Sequence, residues 1–165
     1  MPDVGIPFKK LDFMRRLFFL AIAAVLLIGC EKDDMDQTPP TIDPGYASFP
    51  VQCSEIERGT QFVFKARFTD DKELGSFGLD IHHNFDHHNH STEAGVCDFD
   101  PVKDPVKPFL FLKNYTIPDG LKSYEAVVTI DVPEDIDTGD YHLMIKVTDQ
   151  AGWQTLKGLS IKIIS

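Results

Sequence analysis

The chain has 165 residues, about one domain's worth of sequence. Its formal net charge of −10 argues against a nucleic-acid partner, because nucleic-acid binding depends on Lys and Arg side chains that neutralise phosphates. The same charge argues against electrostatic adhesion to anionic lipid and is compatible with binding of a cation.

The first thirty residues are predicted to be an export signal outside the fold. A basic flank ending at Arg15-Arg16 precedes an apolar run from Leu17 to Ile28. That run is shorter than the roughly 20 residues that a transmembrane helix needs, so a secretory signal is expected instead. Met14 begins a more compact signal and is expected to be the true start. Removing residues 1–30, with their four basic and two acidic residues, takes the formal charge from −10 to −12.

The end of this run, LIGC at residues 27–30, resembles the lipobox of bacterial lipoproteins. The resemblance implies that Cys30 carries lipid and anchors the protein to a membrane; a plain secretory signal with a chance cysteine is the alternative. Residues 31–38 are predicted to be an acidic tether, and EKDD at 31–34 resembles the surface-export signal of one group of Gram-negative bacteria. This implies a lipid-anchored outer-membrane protein exposed on the cell surface, with the periplasmic face as the alternative.

Two cysteines remain once Cys30 is set aside. In an oxidising compartment Cys53 and Cys97 most simply form one disulfide. The alternative is a pair of thiolate metal ligands, which is less favoured because neither cysteine lies near the histidines described below.

Residues 39–165 are predicted to form one all-β domain. Apolar and polar residues alternate along short segments separated by turn residues, as expected for strands with one buried face. About seven such strands favour an antiparallel β-sandwich. Residues 96–113 are either a lid or a strand with a long lead-in, and the strand is favoured. The clearest segments are 39–42, 61–68, 77–81, 124–132, 141–147 and 159–163.

Two short motifs narrow the fold. The sequence DTGDY at residues 137–141 and VTDQAG at 147–152 resemble the D-x-G-x-Y and V-T-D-x-A-G signatures of bacterial immunoglobulin-like domains. The resemblance implies an immunoglobulin-like sandwich in which Tyr141 forms a tyrosine corner. It implies nothing about function.

Five of the six histidines lie in IHHNFDHHNH, residues 81–90, and the sixth is His142. If Ile81 and Leu143 face the core, then His82 and His142 face outward. Their strands are neighbours in an immunoglobulin-like sheet, where side chains on one face lie about 5 Å apart. We therefore predict that His82 and His142 lie side by side on an exposed face.

Imidazoles in this number favour a transition-metal site for zinc or copper. The expected ligands are His82, His87, His88, His90, His142 and Asp86. Asp80 is expected to orient a ligand histidine. His83 is expected to face inward. The alternative is a polar loop that recognises a glycan or a protein without metal.

Catalysis is not expected, since the H-E-x-x-H pattern of zinc proteases is absent from the sequence. A small metallo-hydrolase is the least favoured alternative, because it needs an open coordination position and a base. Calcium is a weaker candidate, because Asp70-Asp71 and Asp131 lack the D-x-D-x-D spacing of a calcium loop.

Residues 39–165 also resemble, as a whole, a family of small bacterial lipoproteins of unknown function. In that family an I-H-x-N-F-D-H-H-x-H motif precedes a G-D-Y-H strand; here these are residues 81–90 and 139–142. The resemblance implies an exported lipoprotein with an immunoglobulin-like fold and supplies no activity.

Overall fold

The structure, a computed structural model, describes residues 35–88 and 97–165. The chain divides into two compact units, residues 1–35 and 36–165, and the account below concerns the second. Three predictions therefore lie outside the described residues: the signal, the lipidation of Cys30 and the candidate ligand His90. No helix long and apolar enough to cross a membrane occurs in the part of the chain that the structure describes.

The described chain is all-β, as the alternation predicts. Its strands form a three-stranded sheet in the order β1-β3-β6 and a five-stranded sheet in the order β2-β8-β7-β4-β5. The eight strands are β1 Thr41–Ile42, β2 Ser54–Glu57, β3 Gln61–Thr69, β4 Leu74–His83, β5 Phe111–Thr116, β6 Ser123–Asp131, β7 Gly139–Asp149 and β8 Gln154–Ile164.

Apolar side chains from the two sheets meet in one core. Along β3 every second residue is buried, and Phe68 of this strand lies 5.2 Å, between ring centroids, from Phe77 of β4 in the other sheet. Phe64, Leu79 and Leu143 are each at most 1% exposed. Burying a side chain of this size contributes about 2 kcal/mol, so the period-two pattern is what holds the sheets together as an immunoglobulin-like sandwich.

Strand β2 was not predicted from the sequence. β2 has four residues, of which Ile56 alone is buried, and so shows no readable alternation. It pairs with β8 in parallel, whereas the other neighbouring strands of both sheets pair antiparallel. The favoured strand near residues 96–113 is present as β5, which begins at Phe111 after the long lead-in.

The predicted tyrosine corner is present. The Tyr141 hydroxyl donates to the carbonyl oxygen of Asp137 at 2.6 Å and accepts from the backbone N–H of Phe109 at 3.1 Å. Tyr141 is fully buried, and this burial raises its pKa to about 12. The ring thus fixes both the start of β7 and the lead-in to β5.

The predicted disulfide joins Cys53 to Cys97, whose Cα atoms are 5.6 Å apart. It closes a long loop, with a sequence separation of 44. The cross-link ties the segment that begins at Cys97 to the entry of β2. That segment contacts the histidine-rich turn, so the disulfide helps to position one side of the site.

Candidate metal centre

Three histidines lie together at one end of the five-stranded sheet. His82 of β4 and His142 of β7 are direct register partners, with ring centroids 5.5 Å apart. His88, from the turn after β4, lies 4.8 Å from His142 and 5.6 Å from His82, again between centroids. We call these three residues the histidine cluster.

A tight turn returns the chain over the sheet and delivers His88. The backbone N–H of Asn84 donates to the carbonyl of Asp140 at 2.8 Å, and that of His87 donates to the carbonyl of Asn84 at 3.2 Å. His87 has a φ of 56°, in the left-handed region that lets the chain reverse. Phe85 is 2% exposed and packs edge-on against Tyr141, which holds the turn down.

Two carboxylates orient two of the imidazoles. Nδ1 of His82 lies 3.0 Å from Oδ1 of Asp80, and Nδ1 of His88 lies 2.6 Å from Oδ1 of Asp86. The hydrogen bond from His88 lowers the pKa of Asp86, so this carboxyl keeps its negative charge. A carboxylate on Nδ1 fixes the tautomer in which Nε2 is the ligand atom. Both pairs therefore have the arrangement of a metal-binding histidine with its supporting acid.

His142 faces the predicted side of the sheet but is not exposed. It is 0% exposed, whereas a solvated position was expected. The turn that carries His88 covers it, and Nε2 of His142 lies 3.1 Å from the carbonyl oxygen of His88. Its register partner on β8, Ser160, is also buried. With Nε2 on a carbonyl, Nδ1 is the nitrogen of His142 that a metal would use.

The two other histidines that the structure describes, His83 and His87, point elsewhere. Nε2 of His87 lies 2.9 Å from the carbonyl oxygen of Asp100, and its ring stacks on Phe99 at 4.9 Å. His83 is half-buried, with its ring 5.0 Å from Phe85. Of the predicted ligands, the structure thus brings together His82, His88 and His142, with Asp86 beside His88. His87 lies outside the cluster.

The ring spacing can be compared with that of a bound ion. Tetrahedral zinc binds imidazole nitrogen at about 2.0–2.1 Å, which places the centroids of two ligand rings about 5 Å apart. The cluster has 4.8, 5.5 and 5.6 Å. The ring nitrogens of the cluster do not converge on one point. Among the described residues, the group of three ligands whose atoms all lie within 4.8 Å of one another is a different one, Asp36, Asp70 and Asp149. Metal binding at the histidines would therefore require their rings to rotate.

A shallow cleft opens beside His82 on the outer face of the sheet. Its volume is about 350 Å³. Leu112 and Leu156 form apolar walls that are 68% and 49% exposed, while Asn114 and Lys146 supply polar groups. Asp80 and His82 line the same cleft, so a ligand bound there would contact the histidine cluster.

Two buried charged positions were missed by the sequence analysis. Asp140 is 4% exposed; its Oδ2 accepts from the backbone N–H of Asp100 at 2.7 Å, and its Oδ1 lies 3.5 Å from Nζ of Lys162. Asp100 and Asp140 together raise the pKa of Lys162. Asp149, at the far end of the same strand, was read only as part of a fold motif. No signal along the chain marks either residue as buried.

Comparison with known proteins identifies the family. A family model described as "Domain of unknown function (DUF4625)" matches residues 28–164. The chain belongs to this family. No curated protein matches it. Among solved structures, the GspB Siglec domain is similar, with a TM-score of 0.41 and 18% identity; the match covers 78% of this chain and 59% of that one. The chain thus spans less than two thirds of that protein's length.

Proposed function

We propose that this DUF4625 protein is an exported, lipid-anchored protein that binds a transition-metal ion, zinc or copper, through His82, His88 and His142. The observation that carries the proposal is the spacing of the three rings, from 4.8 to 5.6 Å between centroids. Imidazole is a preferred ligand of both metals. The net charge of −10 favours a cation as the ligand.

The cluster combines a fixed ligand with movable ones. His142 is fully buried on a central strand, whereas the side chains of His82 and His88 are 23% and 35% exposed. An ion would reach His82 and His88 first. Rotation of these two rings would then bring the ion to His142. Such a site suits capture and handover of a metal. We propose binding without turnover.

Two further parts of the proposal come from the sequence. Cys30 is the lipidated residue that holds the protein on the outer membrane, facing the cell surface. His90, two residues beyond His88, is a fourth candidate ligand. Labelling with an alkyne fatty acid is expected to be lost in Cys30→Ser, and shaving of intact cells with protease is expected to release the domain.

The central test is metal binding by full-length protein purified without a histidine tag or a nickel column. Isothermal titration with ZnCl2 and with CuCl2 is expected to give about one ion per chain. Each missing imidazole should weaken binding at least 10-fold, as even supporting residues typically account for 10–100-fold. His82→Ala and His88→Ala are the test variants.

His87→Ala is the matched control. The side chain of His87 is 32% exposed, close to the 35% of His88, but it lies outside the cluster. Metal affinity should therefore survive His87→Ala and fall in His88→Ala. Equal affinity in these two variants, or a stoichiometry near zero after loading, would overturn the proposal.

The cleft beside His82 supports a second candidate, in which the surface binds a glycan or a protein without metal. Its exposed Leu112 and Leu156 and its polar Asn114 and Lys146 are the combination expected of a ligand site. Binding on a glycan array that persists in chelator and is lost in Leu112→Asp would favour this candidate. Binding that requires zinc would favour the first.

A further inference from the structure

A second cluster of ligands lies at the opposite end of the sandwich from the histidines. Three chain segments meet there: the residues before β1, the turn between β3 and β4, and the end of β7. Each contributes one aspartate. One oxygen from each of Asp36, Asp70 and Asp149 lies within 4.8 Å of the others.

Backbone N–H groups hold one oxygen of every carboxylate. Oδ1 of Asp36 accepts from Thr38 at 3.0 Å. Oδ1 of Asp70 accepts from Lys72 and Glu73, each at 2.8 Å, and Oδ1 of Asp149 accepts from Trp153 at 2.8 Å. The orientation of all three groups is thus set before any ligand arrives.

The other oxygen is what points to a ligand. Asp149 is 4% exposed, and its Oδ2 is buried and accepts no hydrogen bond from the described chain. Oδ2 of Asp70 is in the same state. A buried carboxylate oxygen without a donor costs free energy, and two of them beside a third acid repel one another. A cation between them removes both penalties.

We propose that Asp36, Asp70 and Asp149 bind one calcium ion. The donors are all oxygen, which selects a hard cation over zinc or copper. Calcium binds oxygen at about 2.4 Å, so two ligands on opposite sides of the ion are about 4.8 Å apart. Magnesium binds oxygen at about 2.0–2.1 Å and requires a nearly ideal octahedron. The three carboxylates would have to lie closer together around magnesium than around calcium.

Calcium at this position would tie the residues before β1 to the end of β7. Asp36 belongs to the predicted tether, yet its carbonyl oxygen accepts from Nε1 of Trp153 at 3.0 Å. Thr155 also donates to the carbonyl oxygen of Pro40. The ion would add a third link between these leading residues and the β7–β8 turn. The site does not depend on the histidine cluster, and the two can fail separately.

Trp153 provides the readout, because it is the one tryptophan of the chain and its indole contacts Asp36. Full-length protein in detergent is titrated with TbCl3, and terbium luminescence is excited through the indole. Sensitised emission is expected, with displacement by CaCl2 at about 0.1–1 mM, the range of extracellular calcium modules. A parallel melt in CaCl2 against EGTA should raise the Tm by about 5 °C at tenfold saturation.

Asp149→Asn and Asp70→Asn remove charge but keep an oxygen for the backbone donors. Both should lose calcium affinity at least tenfold, and because they relieve the repulsion they should melt no lower than the wild type in EGTA. Asp71→Asn is the control, since Asp71 is an exposed neighbour outside the group. His82→Ala/His88→Ala should respond to calcium normally.

Three results would overturn the proposal. One is the absence of any calcium effect on emission or Tm up to 10 mM. Another is an equal loss of response in Asp71→Asn and Asp149→Asn. The third is an equal response to MgCl2, which would refute calcium as the occupant.

Discussion

The two ends of the β4–β7 pair place different chemistry on one scaffold. At one end, His82 and His142 are register partners and His88 covers them. At the other end, Asp149 closes β7 and meets Asp70 and Asp36. The histidine end offers nitrogen and the aspartate end offers oxygen, so each favours a different class of cation. The two ends of one strand pair therefore present two different candidate cation sites.

The largest expected effect is on metal selectivity. Variants at the histidine end should lose zinc binding but keep calcium binding, and variants at the aspartate end should do the opposite. The double variant His82→Ala/His142→Ala removes two of three imidazoles and should weaken zinc binding at least 100-fold, by extension of the 10–100-fold typical of a single supporting residue. Its terbium emission should be unchanged, and Asp149→Asn should show the reverse pattern. Titration of both variants with both metals checks this; parallel losses would show that the ends are not separate sites. Circular dichroism confirms that each variant is folded.

Removal of the disulfide tests whether this cross-link positions the histidine end of the sheet. Cys53→Ser/Cys97→Ser opens a loop with a sequence separation of 44, which by loop entropy should cost about 4 kcal/mol of unfolding free energy. Urea unfolding gives the value. Zinc affinity should also fall, because the segment that follows Cys97 holds the turn that carries His88, where the backbone N–H of Lys103 donates to the carbonyl oxygen of Phe85. Calcium affinity should not fall. An equal fall in both affinities would contradict this assignment.

Tyr141 gives a smaller effect with a defined pH dependence. Tyr141→Phe loses two hydrogen bonds and should cost about 2 kcal/mol. The folded state holds the phenol proton to about pH 12, against 10.0 for an ordinary tyrosine. Over that window the unfolded chain binds fewer protons than the folded one, so unfolding free energy falls as pH rises.

Urea unfolding between pH 9 and 11.5 checks this dependence. The wild-type slope above pH 10 should be steeper than that of Tyr141→Phe. Ionisation of Lys162, whose pKa is also raised, contributes equally to both proteins. Identical slopes would contradict the assignment to Tyr141.

The smallest effect concerns the acids beside the histidines. Asp80→Asn keeps an oxygen near Nδ1 of His82 but removes its charge, and should weaken zinc binding about tenfold. Asp98→Asn is the control, because Asp98 is exposed and contacts Lys162 through its backbone carbonyl oxygen, which the substitution keeps. Competition with a zinc indicator measures both. A loss in Asp98→Asn as large as that in Asp80→Asn would show a general charge effect.

The sequence predicted features that depend on local alternation or on a known strand order. The alternation of β3 and β7, the tyrosine corner and the meeting of His82 with His142 were all readable in this way. The burial of His142 was not, because the covering turn depends on Phe85 packing against Tyr141. The aspartate group was not, because its members come from three distant segments and only the folded chain brings them together.

The length of β7 has a consequence for how the two ions would interact. His142 and Asp149 lie seven positions apart on one strand, which at about 3.3 Å per residue separates them by about 23 Å. The Debye length at physiological ionic strength is about 8 Å. Two cations at these ends would be nearly three screening lengths apart, so occupancy of one should leave the affinity of the other unchanged and their stabilising effects should simply add.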